Sequence, residues 1–83
     1  DREGPLRDLL HSEIVRWRSA LRRTVSQAVE AGHLRADVDA DQLVGEVHSL
    51  ILGTVHDTRF LRDARAVARA RASWRRLLAS YLP

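Results

Sequence analysis

Histidines are the residues of this chain whose chemistry could include metal binding. His48 and His56 are eight residues apart in a segment with helical periodicity, so they lie two turns, about 12 Å, from each other. Two histidines on one helix chelate a metal when they are three or four residues apart. His11 and His33 have no carboxylate partner at a matching spacing. The sequence therefore predicts no metal site.

Catalytic groups are also not expected. The serines all fall inside predicted helices, and none follows a glycine elbow of the kind that exposes a nucleophile. Glu46 and Asp57 are eleven residues apart on a polar face, with no sign of a shared acid–base site. The four glycines are isolated, so no glycine-rich loop can hold a phosphate. We predict no catalytic residue, no cofactor and no enzymatic activity.

The charge of the chain allows two interpretations. The net charge is +3, and all 14 basic residues are arginine. Clustered arginines indicate nucleic-acid binding, but here they are interleaved with 11 acidic residues, as on solvated helix faces. The last predicted helix lacks the Asn, Gln, Ser and Thr array that reads base edges. A small Arg-rich nucleic-acid-binding bundle is kept as an alternative.

Length and composition predict a single helical domain over residues 1–83. A chain of this size buries only about 60% of its unfolded surface, and without cysteine it has no disulfides. Self-association would add buried surface. The central apolar run 50–52 is too short to span a bilayer, and no signal peptide is evident. We expect a cytoplasmic protein with no membrane partner. Since Met is not the first residue, we also expect either a fragment of a longer protein or a processed chain.

The first predicted helix opens at Gly4-Pro5 and ends at Ala31, before a capping Gly32. At about 40 Å it is long enough to contain a kink near His11-Ser12. Its apolar residues recur every three or four positions and form one face: Leu6, Leu10, Ile14, Trp17, Leu21, Val25 and Ala28.

The second predicted helix begins at an Asp39 N-cap, with Gln42 able to complete a capping box, and runs to about 59–61. It has two faces. One is a wide apolar arc, and the other is a stripe of small residues four positions apart. The arc consists of Leu43, Val44, Val47, Leu50, Ile51, Thr54 and Val55, and the stripe of Gly45, Ser49 and Gly53.

The third predicted helix covers 64–82, with Asp63 as its N-cap. It repeats the two-faced pattern, and no segment has the alternation of a strand. We predict an all-α fold of three long helices, the last two forming an antiparallel hairpin that pairs as a four-helix-bundle dimer. The predicted dimer interface consists of Gly45, Ser49, Leu52, Gly53, His56, Ala68, Ala72, Trp74, Leu77, Leu78 and Tyr81.

Trp17 has two interpretations as well. A tryptophan on an apolar helix face usually belongs to the core. The alternative is a ligand pocket in which Trp17 forms a wall with Leu10, Leu21 and His48.

The run from Ala28 to Leu43 resembles the junction before the dimerisation hairpin of TetR-type transcriptional regulators. In that family a long helix ends in A-x-x-A-G-x-L, and R-x-D-V-D-x-x-x-L follows, as in 28–34 and 35–43 here. A helix with a central glycine, here Gly53, and a final Ala/Arg-rich helix complete the likeness, which covers essentially the whole chain. The DNA-binding domain and early regulatory helices of that family are not in residues 1–83.

The resemblance implies a C-terminal dimerisation and effector-sensing segment of a repressor. Its partners would be a second copy and an unknown small-molecule effector, with DNA bound only by an N-terminal domain outside these residues. Effector binding would move the DNA-binding heads. The alternative from another class is a stand-alone helical protein–protein interaction module.

Overall fold

A computed structural model describes residues 4–83, and within that range the chain is entirely helical apart from its connectors. Helix α1 spans Gly4–Glu30, α2 spans Ala40–Arg59 and α3 spans Ala66–Ser80. The prediction of an all-α fold with three helices is confirmed.

Helix α1 is one continuous helix of 27 residues, so the sequence position considered for a kink, His11-Ser12, lies inside it. Its end follows the prediction. Gly32 has a φ of 79°, and the N–H groups of Gly32 and His33 donate to the carbonyls of Val29 and Ala28 at 3.0 and 2.9 Å. These two bonds form a Schellman cap, which needs a left-handed residue after the helix and favours glycine there.

Helix α2 begins as predicted. The Asp39 carboxylate accepts hydrogen bonds from the N–H groups of Asp41 and Gln42 at 3.0 and 3.2 Å, which satisfies two donors of the first turn. Within residues 4–83 the reciprocal bond from the Gln42 side chain is not formed, so Asp39 acts as a simple N-cap and not as half of a capping box.

The turn between α2 and α3 places the start of α3 two residues later than predicted. The Asp63 carboxylate accepts the N–H of Arg65 at 2.9 Å, and the Asp63 carbonyl accepts the N–H of Ala66 at 3.1 Å. Asp63 therefore closes a turn ahead of the helix, which begins at Ala66. The turn also holds Arg62 at a φ of 49°, a left-handed conformation that is uncommon outside glycine.

The three helices lie side by side in one layer, with α2 in the middle. Helix α2 packs on both neighbours, whereas α1 and α3 do not pack on each other within residues 4–83. Both contacts are antiparallel. Between α1 and α2, Arg22 pairs with Asp41 and Trp17 meets His48. Between α2 and α3, Tyr81 bonds to Glu46 and Arg69 lies near Asp57. The molecule measures 47 × 32 × 13 Å, so its thickness is that of a single helix.

The core is small and sits at one end of this layer. It lies where the end of α1, the connector, the start of α2 and the end of α3 meet. The buried residues there are Val25, Leu34, Leu43 and Val44, and Ala66 is buried separately at the start of α3. The N-terminal half of α1 lies outside this core, and its apolar residues Leu6, Leu10 and Ile14 are exposed.

Candidate effector groove and dimerisation hairpin

A groove of about 280 Å³ runs between α1 and α2 beyond the core. Three of the four residues predicted as a pocket wall line it: Leu10, Trp17 and His48. Leu21, the fourth, lies closer to the C-terminal end of α1 and packs against the core instead. The groove is completed by Glu13, Ile14, Ile51 and Leu52, which the pocket prediction did not include.

Trp17 and His48 form the centre of this groove. Their rings are 5.2 Å apart between centroids and meet edge to face at 62°, a favourable geometry for aromatic pairs. Trp17 remains 40% exposed, so its ring is open to a ligand and is not a core side chain. The Glu13 carboxylate, which also contacts the Arg16 guanidinium at 3.8 Å, is an acidic group at the rim.

The α2–α3 hairpin has two open sides, separated by the line along which the helices touch. One side, which we call the small-residue side, is a shallow groove of about 180 Å³ formed by Ser49, Gly53, Asp57, Arg69 and Ser73. The other, which we call the apolar side, is a groove of about 520 Å³ formed by Val47, Ile51, Val55, Val67 and Trp74. Leu50, Thr54 and Ala70 border both grooves and mark the seam.

The residues predicted for the dimer interface do not share one surface. Ser49 and Gly53 lie on the small-residue side, whereas Trp74 lies on the apolar side. Leu52 lines the groove between α1 and α2. A Cβ atom added to Gly45 would stand 3.6 Å from Arg18 Nη2, so this glycine faces α1.

The remaining predicted interface residues are divided between exposed and core-facing positions. His56, Ala68 and Ala72 are exposed, and the His56 ring lies 5.1 Å from that of Phe60. Leu77, Leu78 and Tyr81 are partly buried against the core of their own chain. The sequence predicts a two-sided hairpin but does not show which residues meet on each side.

Tyr81 ties the end of α3 to the rest of the molecule. Its hydroxyl donates to the Glu46 carboxylate of α2, and its carbonyl accepts the N–H of Arg35 at 3.0 Å. The Arg35 guanidinium lies 5.7 Å from the centre of the Tyr81 ring. The hydrogen bond to Glu46, and then burial, raise the pKa of the Tyr81 phenol, because ionisation would break that bond and bring two negative charges together.

Arg69 closes the opposite end of the hairpin. Its guanidinium pairs with the carboxylate of Asp63 in the turn and lies 3.9 Å from that of Asp57 on α2. The N–H of Arg65, and then the Arg69 side chain, hold the pKa of the Asp63 carboxyl below its usual value. The pairing with Asp63 raises the pKa of Arg69 in turn. No feature of the sequence showed that Arg69 would reach back to α2.

Two further features, a metal site and a membrane-spanning helix, were sought among the described residues. Within 4–83, no three histidine or acidic side chains come close enough together to hold a metal ion. None of the three helices has the length and hydropathy needed to cross a membrane. What the described surface does offer is an aromatic groove beside a two-sided helical hairpin.

An all-helical layer of this kind offers a concave, largely apolar surface for a ligand, but a fold alone does not define a function. Residues 1–74 match the family model described as "Tetracyclin repressor-like, C-terminal domain", and the chain belongs to that family. Such domains are the regulatory part of transcriptional regulators and not enzymes, and they typically dimerise and bind small-molecule effectors. No curated protein and no solved structure matches the chain.

Proposed function

We propose that residues 1–83 act as one helical unit, the dimerisation and effector-sensing segment of a TetR-like transcriptional repressor. DNA would be bound by a separate head of the same polypeptide. The observation that carries this proposal is the position of Ile51, which lines both the groove between α1 and α2 and the groove on the apolar side of the hairpin. A molecule in the first groove therefore touches a residue of the second.

The chemistry of the first groove favours a mainly apolar effector with an aromatic or flat portion. Leu10, Ile14 and Leu52 are between 45% and 57% exposed and would lose that exposure under a bound ligand. Apolar burial is worth about 25 cal/mol per Å², so these contacts would supply most of the affinity. The Trp17 ring offers a stacking surface, and His48 and Glu13 supply the polar groups that would orient the ligand.

The mechanism follows from how α1 is held. Only the C-terminal turns of α1, from Leu21 to Val29, pack against the core, while the half that lines the groove is attached to α2 by groove contacts alone. An effector wedged between Trp17 and Leu52 would change the separation of α1 and α2. In a dimer this movement would alter the spacing of two DNA-binding heads, which must match half-sites about 34 Å apart.

Sensing is tested with the fluorescent apolar dye 1-anilinonaphthalene-8-sulfonate. In the Trp74→Phe variant Trp17 is the one tryptophan left, and titration with the dye should quench its emission. The matched variant Trp17→Phe, in which Trp74 reports on the apolar side, should show a weaker response at the same dye concentration. Equal quenching in both variants would contradict binding in the groove between α1 and α2.

Pairing is tested by fusing the chain to a monomeric helix-turn-helix head that binds its operator tightly only as a dimer. The fusion should bind a two-site operator at least 100-fold more tightly than the head alone, because linkage makes the second contact intramolecular. A single half-site is the control and should gain little. If the fusion binds both duplexes as weakly as the head alone, the proposed function is wrong.

A further inference from the structure

The groove between α1 and α2 contains one acidic side chain on an otherwise apolar helix face. On a helical wheel Glu13 falls between Leu6 and Leu9 and one turn before Trp17, so it interrupts the apolar surface in the N-terminal half of α1. A charge inside such a surface is unfavourable for packing unless it keeps its water or finds a partner. Residues that break the pattern of their own helix in this way are candidates for a role in binding.

The charge of this groove is opposite to that of the whole chain, which has a net charge of +3. With His48 counted as neutral, Glu13 is the one charged residue among the described residues that line the groove. Arg16 and Arg18, the arginines nearest to it in sequence, are not part of that lining. The Arg18 guanidinium lies beside Gly45, closer to the core, where its Nη2 atom is 3.6 Å from the position of an added Cβ. The groove is therefore a local acidic site on a basic molecule.

The ion pair that Glu13 makes leaves its carboxylate open to a ligand. The Glu13 carboxylate is 3.8 Å from the Arg16 guanidinium, which is too long for a hydrogen bond, and the two side chains are 56% and 78% exposed. Exposed pairs of this kind contribute little to stability, because water and salt screen them. A cation in the groove can therefore compete with Arg16 for the carboxylate at little cost.

The Trp17 ring supplies a second group that attracts cations. Its ring and that of His48 meet edge to face, so whichever ring presents its edge, at least one face of the indole has no imidazole against it. Trp17 is 40% exposed and lines the groove. The face of an indole carries a negative potential and attracts organic cations more strongly than the rings of tyrosine or phenylalanine. Because Glu13 and Trp17 are four residues apart, both act on the same side of α1.

We propose that the effector is a lipophilic organic cation, whose positive group lies over the Trp17 ring and faces the Glu13 carboxylate. This inference rests on the proposed function, which requires a ligand in this groove, and it assigns the charge of that ligand. The apolar part of the cation would cover Leu10, Ile14 and Leu52, which line the same groove.

The charge of the ligand should decide its affinity at this site. An anion of the same shape would bury the same apolar area, but its charge would face the Glu13 carboxylate and the negative face of the Trp17 ring. The net charge of +3 acts in the opposite direction, because it attracts anions to the molecule as a whole. A preference for the cation can therefore come only from groups in the groove.

The experiment compares two ions of the same shape, the tetraphenylphosphonium cation and the tetraphenylborate anion, by equilibrium dialysis against the 83-residue chain. We expect the cation to bind roughly fivefold or more tightly than the anion. Glu13→Gln should weaken binding of the cation by about the same factor and not weaken binding of the anion. Glu30→Gln is the matched control, since it removes the same charge from the far end of α1 and should leave both affinities unchanged. Both positions are exposed, so circular dichroism should show the same helix content in both variants.

Two further variants test the contacts that the proposal names. Arg16→Gln removes the competitor for the Glu13 carboxylate and should tighten binding of the cation about twofold, whereas Arg23→Gln, outside the groove, should not. Trp17→Leu keeps an apolar side chain but removes the ring, so the ratio of cation to anion affinity should fall. If Trp17 only shaped the groove, both ions would be weakened alike, which would contradict its role in holding the charge.

The controls separate the charge of the ligand from the presence of a ligand site. If the cation binds no more tightly than the anion while 1-anilinonaphthalene-8-sulfonate still quenches Trp17, the charge assignment is overturned and the proposed function stands. Equal cation affinities in Glu13→Gln and Glu30→Gln would overturn the assignment in the same way, because only the net charge would then matter. If neither ion binds and the dye leaves Trp17 unquenched, the groove is not an effector site and both proposals are wrong.

Discussion

The Tyr81 hydroxyl donates a hydrogen bond to the Glu46 carboxylate, which is 35 residues earlier in the chain. This bond joins the last turn of α3 to the second turn of α2 beside a core of few buried residues. In a layer of this kind, single polar contacts between helix ends account for a larger share of the stability than in a domain with a deep core.

The loss of stability on removal of this hydrogen bond should be measurable. We expect Tyr81→Phe to lower the free energy of unfolding by about 1–2 kcal/mol, because it removes the bond and leaves the half-buried Glu46 carboxylate without its donor. The raised pKa of the phenol implies stability that is present below about pH 10, the usual tyrosine value, and lost as the pH rises through the folded value. Urea unfolding at pH 8 and pH 10.5 should show this loss in the unmodified chain and not in Tyr81→Phe.

The turn between α2 and α3 should respond to acid. The pKa of Asp63 is lowered, so its contribution to stability is present above the usual aspartate value, near 4, and is lost as the pH falls through the folded value. Asp63→Asn should therefore be less stable than the unmodified chain at pH 7, with the difference shrinking towards pH 2.5. Thermal unfolding across this range checks the prediction. Asp8→Asn, at a residue that has no ion pair within residues 4–83, is the control. An acid profile of Asp63→Asn identical to that of the unmodified chain would contradict the prediction.

The start of α2 depends on Asp39. We expect Asp39→Ala to cost about 1 kcal/mol, since the N–H groups of Asp41 and Gln42 lose their acceptor. Asp39→Asn keeps an oxygen in the same place and should retain most of the stability. Chemical denaturation of both variants measures the difference. Equal losses would show that the charge at the helix end, and not the cap bond, is what matters.

Gly32 and Gly53 allow the same substitution, glycine to alanine, to be compared in two backbone conformations. Gly32 has a φ of 79° and Gly53 lies inside α2, yet a Cβ atom added to either would find no atom within 4 Å. Alanine at Gly32 should therefore cost about 1 kcal/mol through backbone strain alone, whereas alanine at Gly53 should stabilise the chain by about 0.5–1 kcal/mol through helix propensity. Thermal melts at one protein concentration compare the two. A lower melting temperature together with weaker association in Gly53→Ala would indicate that the small-residue side is an interface.

The features that the sequence predicted are those set by interactions between residues close together in the chain. The Gly32 cap, the Asp39 cap and the three periodic segments follow from backbone chemistry within a few residues, and the structure confirms them. The pairing of Tyr81 with Glu46 depends on the angle between helices, which no local pattern specifies. The same limit applies to the hairpin: a helical wheel separates Trp74 from Ala68 and Ala72, but it does not show that Gly53 and Trp74 lie on opposite sides of the seam.

The predicted pocket residues also divide into those that helical periodicity places and those that tertiary packing places. Leu10, Trp17 and His48 line one groove, and periodicity places Leu10 and Trp17 on one helix face. Leu21 has the same periodicity, but it lies one turn closer to the core and packs there. Glu13 precedes Trp17 by four residues, a spacing that brings side chains together on a helix, so its place in the groove could have been found from the sequence.

Helix α1 is anchored in the core at one end and held only by groove contacts with α2 along the other half, so in the proposed mechanism it would act as a lever. Its pivot would be Val25, the one residue of the helix that is buried. Gly4 is about 32 Å from that point at 1.5 Å per residue, so a rotation of only about 5° would move it by roughly 3 Å. In the proposed mechanism, the displacement caused by an effector of small thickness near Trp17, between pivot and tip, would be amplified at the end of the helix.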